Sequence, residues 1–255
     1  MPFTGKTIVV TGGGSGIGLA TVQLLRQRGA EVAVIGRSEA ALRQLATRTG
    51  AKAYHADVGD EAEVTAAFAA IAVDLGPFQG LFCNAGINPP EGLIHDESVG
   101  TWDSIIRVNL RGTFLVVREA MKRFVEQGQP AAIVCTSSGV ARQAIPGGTN
   151  AYTASKAGVE ALVRQVAVDF AARRIRINSV VPGPIDTPLM WATTPPGDVA
   201  NMRLTIDREV PLGKIGQPID IAHCVAWLLS EEASYVTGAS FVVDGGVSAK
   251  MALSA

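Results

Sequence analysis

The amino-acid sequence predicts an α/β protein, a doubly wound parallel sheet of about seven strands with helices on both faces, forming one domain. Three observations predict it. Short β-branched runs alternate with longer helical patterns along the 255 residues. The strand candidates are nearly continuous in apolar residues, as strands covered on both faces must be. The first of them runs straight into a glycine-rich turn, Thr-Gly-Gly-Gly-Ser-Gly-Ile-Gly over 11–18, that opens a helix.

Residues 7–11 read as the first strand and 16–28 as the helix after it. A strand over 31–35 leads to a helix over 39–49 closed by Gly50, since glycine tolerates the left-handed backbone of a helix end. Strands over 51–56 and 80–83 flank a helix over 60–75. A long helix from about 101 to 127 precedes the strand 131–136, and a second, about 151–172, precedes the strand 175–180. Residues 240–243 make the last strand. Residues 184–216 break the alternation with prolines and glycines, long enough to be a functional loop or lid over a substrate.

Composition excludes several classes. Lys plus Arg number 22 and Asp plus Glu 23, and a net charge of −1 offers no basic field for nucleic acid. Charged residues are only 18% against a usual quarter or so, which predicts that some surface is buried between subunits. No run of about eighteen apolar residues exists to span a membrane, and residues 1–7 lack the apolar stretch of a secretory signal. Cys83, Cys135 and Cys224 have no metal or disulfide spacing, and the first two lie in apolar runs suited to buried, reduced thiols. These features predict a soluble, cytoplasmic protein. His55, His95 and His223 show no ligand spacing, so no catalytic metal is expected.

The chemistry is carried by Tyr152 and Lys156. On a helix they stand at i and i+4 and project from one face. A phenol with a pKa of about 10 is a poor acid at neutral pH, and a neighbouring ammonium would favour its ionised form. The pair therefore reads as a tuned acid/base. In the glycine-rich turn, Gly12, Gly14, Ser15, Gly16, Ile17 and Gly18 form a cradle in which backbone approaches a pyrophosphate and helix N–H groups bind it. At the end of the second strand Gly36 stands where an acid would bind the ribose of NAD, and Arg37 follows it. That favours NADP(H) over NAD(H): a charge-assisted hydrogen bond to the 2′-phosphate is worth about 1.5–3 kcal/mol. Asp57, with Val58 after it, follows the third strand and either accepts from the adenine amino group or caps the next helix.

Together these residues resemble the short-chain dehydrogenase/reductase family over essentially the whole chain. The family's Thr-Gly-x-x-x-Gly-x-Gly is matched by Thr11 to Gly18, and its Asn-Asn-Ala-Gly by Cys83, Asn84, Ala85 and Gly86, with cysteine for the first asparagine. Asn109 matches the asparagine of the fourth helix, Ser138 the serine after the fifth strand, Tyr152 and Lys156 the Tyr-x-x-x-Lys, and Pro182 and Gly183 the Pro-Gly after the sixth strand. Ser138 precedes Tyr152 by one residue more than the family spacing, leaving Ser137 as an alternative donor. The resemblance implies a Rossmann-type fold, a dinucleotide that also meets Ile185 and Thr187, and interconversion of a ketone and a secondary alcohol by hydride transfer. It implies that Tyr152 donates the proton and Ser138 orients the carbonyl. Lys156 would lower the phenol pKa and hold the nicotinamide ribose, and Asn109 would anchor a water leading to solvent.

The family also implies a homotetramer or homodimer paired through the helix that carries Tyr152, which is mostly small or apolar over 157–170. For the small-molecule carbonyl or alcohol substrate, Ser138, Val140, Gln143, Tyr152, Met190 and Trp191 are the candidate contacts, with Ile145 and Leu189 adding to a largely apolar pocket. Asn88, His95 and Arg142 are further polar candidates. Two alternatives accompany this reading: an enoyl-thioester reductase or dehydratase on the same fold, and a dinucleotide-sensing binding protein without turnover.

Overall fold

The computed structural model describes residues 2–192 and 194–250. Seven strands, β1 (Thr7–Thr11), β2 (Glu31–Gly36), β3 (Lys52–His55), β4 (Gly80–Cys83), β5 (Ala131–Thr136), β6 (Ile175–Pro182) and β7 (Ser240–Val243), form one sheet in the order β3-β2-β1-β4-β5-β6-β7. All six strand pairings are parallel. The doubly wound expectation therefore holds in class and in strand count.

The linking helices are α1 (Gly16–Gln27), α2 (Glu39–Thr49), α3 (Glu61–Leu75), α4 (Val99–Ile105), α5 (Gly112–Gln127), α6 (Asn150–Phe170), α7 (Pro188–Trp191), α8 (Val199–Glu209) and α9 (Pro218–Leu229). Alternate strand residues face opposite sides of the sheet, and this builds two cores. Val9, Ile35, Leu81, Ile133 and Ile177 pack with Phe68, Leu115, Phe124 and Val163 from α3, α5 and α6. Val10, Val34, Phe82, Val134 and Val180 pack on the other side with Leu25, Leu42 and Val225 from α1, α2 and α9. The first core is clamped by tilted aromatic contacts, Phe68 to Phe78 at 5.7 Å and Phe78 to Phe124 at 5.0 Å between ring centres.

The structure differs from the sequence expectation in three places. The long helix expected over 101–127 is broken by a π-helical segment, Ile106–Arg111, which carries Asn109. Such a bulge leaves no mark in apolar periodicity. The irregular stretch 184–216 contains α7 and α8; Thr187 caps the first by accepting from the Met190 N–H at 3.2 Å, with Pro188 at its first turn. Helix α9 has no counterpart in the sequence reading. Its Ile221, Ala222, Val225, Ala226, Leu228 and Leu229 are buried and lie on one face, while Asp220 and His223 stay exposed.

Strand order reverses between β1 and β4, and the loops leaving their carboxyl ends separate there. In a doubly wound sheet that crevice is where ligands bind.

Candidate active site

The crevice is held open by an unusually close approach of backbones. Gly12, at φ +68°, lies so near Ala85 that a Cβ at Gly12 would sit 2.8 Å from the Ala85 Cα, and a Cβ at Gly18 would collide with the Gly12 carbonyl. Thr11 Oγ1 accepts from the N–H groups of Asn84 (3.1 Å) and Ala85 (3.2 Å), and the Asn84 amide donates to the Gly12 carbonyl at 3.2 Å. The Thr136 hydroxyl donates to Asn84 Oδ1 at 3.3 Å, so the ends of β1, β4 and β5 are stitched into one rim. Ser15 precedes α1 without capping it, and no acidic side chain stands in its first turn. The first N–H groups of α1 are thus left for an anion, which suits a dinucleotide pyrophosphate.

A cavity of about 520 Å³ runs along this rim. Gly12, Ser15, Gly16 and Ile17 form its floor at one end, with Arg37 and Val58 beyond them. Asn84, Ala85 and Gly86 border its middle, and Pro182, Gly183, Ile185 and Thr187 its far wall. Ser138, Val140, Gln143, Tyr152 and Met190 line the opposite end with Asn88, Ile145 and Leu189. Gly14 and Gly18 support the turn from behind: the Gly14 Cα faces Ala41, and Gly18 faces the Gly12 carbonyl. Among the expected contacts, Trp191 is turned away. Its indole N–H donates to Asp186 at 2.8 Å and its ring carries the Arg203 guanidinium at 5.2 Å, so it anchors the 184–216 segment instead.

Tyr152 and Lys156 share a helix face as their spacing predicts, and Ser138 lines the same cavity as the resemblance implies, but the electrostatics differ. The Lys156 Nζ donates to the Thr136 carbonyl at 2.9 Å and lies 5.5 Å from the centre of the Tyr152 ring. Burial disfavours its charge and pulls its pKa down to about 8, with the nearby Cys135 acting the other way. Burial also pushes the Tyr152 phenol up, and the contact that pulls it back is the Ser138 hydroxyl. No lowering of the phenol by Lys156 accompanies this arrangement, in which the ammonium is turned to Thr136.

The choice between the two serines is resolved by burial. Ser137 is 1% exposed, donates to Glu160 at 2.9 Å, and contacts the Lys156 carbonyl at 3.3 Å. Its hydroxyl is committed. Glu160, itself buried, is held by Arg142 through Nη2 at 3.1 Å, so Arg142 ties the 139–148 segment to α6 rather than facing a substrate. His95 is exposed beside Asp96 at 3.0 Å and lies outside the cavity.

Asn109 is fully buried, and its amide is paired with the Ile87 backbone, Oδ1 accepting from the N–H at 2.8 Å and Nδ2 donating to the carbonyl at 2.9 Å, with Ser155 Oγ a further acceptor at 3.4 Å. Its side chain clamps the loop after Gly86, with Oδ1 and the Lys156 Nζ both close to that glycine. Asp57 is likewise occupied. One oxygen accepts from the Gly59 N–H at 2.9 Å and the other pairs with Arg107 at 2.9 Å. Asp60 caps α3 instead, accepting from Glu63 N–H at 3.0 Å. The capping role expected of Asp57 is therefore filled by Asp60, while Arg37 is exposed at the cavity and pairs with no described carboxylate.

Comparison with known proteins assigns the family. A family model described as Enoyl-(Acyl carrier protein) reductase matches residues 12–248. The chain is 38% identical over 254 residues to 2-(S)-hydroxypropyl-CoM dehydrogenase 3 of Xanthobacter autotrophicus, covering 96% of this chain and 97% of that one. It is 38% identical to cis-4-hydroxycyclohexanecarboxylate dehydrogenase of Sinomonas cyclohexanicum over 97% of this chain and 98% of the relative. The crystal structure of a levodione reductase superposes with a TM-score of 0.92 at 33% identity, covering 98% of this chain and 100% of the other. This chain belongs to the short-chain dehydrogenase/reductase family of oxidoreductases. Membership in that family means a nicotinamide dinucleotide as cofactor, and the glycine cradle and uncapped α1 fit one.

The buried lysine has a signature in stability. Lys156 titrates near 8 in the folded protein and near 10.5 when unfolded, so between these values the unfolded chain binds the extra proton. Stability should rise as pH increases through that window and fall as pH drops back through 8. In Lys156→Met this component should vanish, measured as denaturant midpoints from pH 7 to pH 10; identical pH profiles for both proteins would contradict it.

Proposed function

We propose that the protein interconverts a ketone and a secondary alcohol with NADP(H) favoured over NAD(H). The observation that carries this is the convergence of Ser138, Tyr152 and Lys156 on one cavity wall beside the glycine cradle. When bound, the dinucleotide supplies or accepts the hydride. As hydride reaches a carbonyl carbon, negative charge develops on its oxygen, and donors aimed at that oxygen favour the transition state over the ground state. The Ser138 hydroxyl accepts the role of orienting donor, and Tyr152 Oη delivers the proton. Lys156, with a pKa of about 8, is still largely protonated at neutral pH and can serve both as a positive field for the phenolate and as a donor to a ribose hydroxyl. In the oxidative direction Tyr152 removes the alcohol proton. Asn109 acts by holding the Gly86–Ile87 backbone against the site.

The substrate end is apolar, with Val140, Ile145, Leu189 and Met190 against Asn88 and Gln143. Lys156 is the one cation lining that end among the described residues, and Thr136 holds it. This supports an uncharged ketone or alcohol, such as a cyclic one; a relative named as a levodione reductase and another named for a cyclohexadiene-diol fit that reading. The description of the matching family model favours a second reading, reduction of an enoyl thioester. Protein assayed by nicotinamide absorbance against ketones, diols and enoyl thioesters decides between them: turnover of thioesters alone would overturn the proposal.

Tyr152→Phe should lower kcat by about 10²–10⁴-fold, the usual contribution of general acid–base catalysis, with dinucleotide affinity nearly unchanged. Unaltered turnover would remove Tyr152 from the mechanism. Arg37→Ala should weaken NADP(H) binding by about ten- to a hundredfold, as expected for loss of a charged hydrogen bond, and leave NAD(H) binding alone. Equal effects on the two dinucleotides, measured by fluorescence titration, would refute the preference. Self-association is part of the proposal, supported by exposed apolar residues on the two long helices, Phe114 at 44% and Val168 at 78%. Sedimentation velocity should find a dimer or tetramer; a monomer at micromolar concentration would exclude it.

A further inference from the structure

The helix that carries Tyr152 has no cap of its own. Thr149 stands at its N-cap, but its side chain makes no capping bond and is instead paired with the Thr153 hydroxyl at 3.1 Å. The first-turn N–H groups of a helix have no partner within it. Here they are satisfied from sixty residues away: Glu91 Oε2 accepts from the Ala151 N–H at 2.6 Å, and its Oε1 accepts from the N–H of Tyr152 itself at 3.2 Å. The segment that presents Glu91 is docked firmly on the helix start. Glu97 accepts from the Gly92 N–H at 3.0 Å, and the Asn150 amide donates to the Gly92 carbonyl at 2.8 Å. Gly148, at φ +85°, passes so close that a Cβ there would collide with that same carbonyl.

We infer that Glu91 is a positioning residue for the proton donor, acting as an imported cap that fixes the turn from which the phenol projects. The inference rests on Tyr152 being that donor. Tyr152 lies in the first turn of α6, where loss of the cap is felt, because end effects decay within about one turn. Lys156 lies a full turn deeper and is held by Thr136, and Ser138 is on another segment. Loosening the first turn therefore displaces the phenol relative to both partners and leaves the dinucleotide cradle at the end of β1 intact. A catalytic group misplaced by about 1 Å is enough to cost on the order of 10²-fold in rate.

Three variants test this, each read by kcat, substrate KM, dinucleotide Kd and thermal midpoint. Glu91→Ala should lower kcat by about tenfold or more with dinucleotide Kd within about twofold, a loss of orientation and not of binding. Glu91→Gln, whose amide oxygen can still accept one of the two N–H groups, should recover much of that kcat. Glu97→Ala removes a neighbouring contact of the same segment without touching the Tyr152 N–H, and should lower thermal stability while sparing kcat. Unchanged kcat in Glu91→Ala overturns the inference, as does an equal kcat loss in Glu97→Ala or a parallel loss of dinucleotide affinity. Persistent turnover in Tyr152→Phe would instead bring down the reading of Tyr152 on which it rests.

Discussion

The separation of β1 and β4 at their carboxyl ends is the constraint on which the site depends. The two strands are in register up to Thr11 and Cys83, and the chain after each must turn opposite ways to reach helices on opposite faces. Because the backbones leave contact distance only beyond this point, particular positions of the turn after β1 have no room for a side chain. Gly12 against Ala85 and Gly18 against the Gly12 carbonyl are the outcome. Thr11, Asn84 and Thr136 then close the polar groups this divergence would strand, and the same Thr136 presents its carbonyl to Lys156. Cradle and buried lysine are thus fixed by one rim.

Charge is brought into this interior only with partners. Glu160 and Glu119 are both nearly inaccessible, and each is met by more than one donor: Ser137 and Arg142 in the first case, Lys122 and Arg123 in the second. This is the condition under which a buried carboxylate is tolerable, since an unpaired one carries its full desolvation cost. Lys156 is the exception. A single carbonyl at 2.9 Å is its only described hydrogen-bond partner, and its ammonium is correspondingly easier to neutralise. A lysine held in that state is suited to donate to whatever acceptor arrives beside it, whether a phenolate or a neutral hydroxyl.

Much of the site was legible because its chemistry requires particular residues at short range along the chain. The glycines of 12–18, the Tyr152–Lys156 spacing and Ser138 at a strand end all belong to local patterns, and each lies where the pattern puts it. The partners of Asp57, Asn109 and Trp191 are not legible in the sequence, for one shared reason. Each carries hydrogen-bonding groups that suit a ligand, but Arg107, Ile87 and Asp186 take those groups, and the partners stand 50, 22 and 5 residues away along the chain. Glu91 escaped notice for the same reason in reverse: an acidic residue in a loop carries no sign of the helix end it will cap.

What the sequence by itself determined is the class of fold and the inventory of candidate groups. Strands apolar on both faces permit only a covered parallel sheet, and Tyr152 and Lys156 meet on any helix that contains them. Only the tertiary structure decided how those groups are tuned. The pKa of Lys156, the commitment of Ser137 to Glu160, the clamp of Asn109 on Ile87 and the cap that Glu91 places on Tyr152 all join distant segments. Burial and hydrogen-bond competition are properties of the packed molecule, because the energy of a polar group depends on what surrounds it and not on its neighbours in sequence.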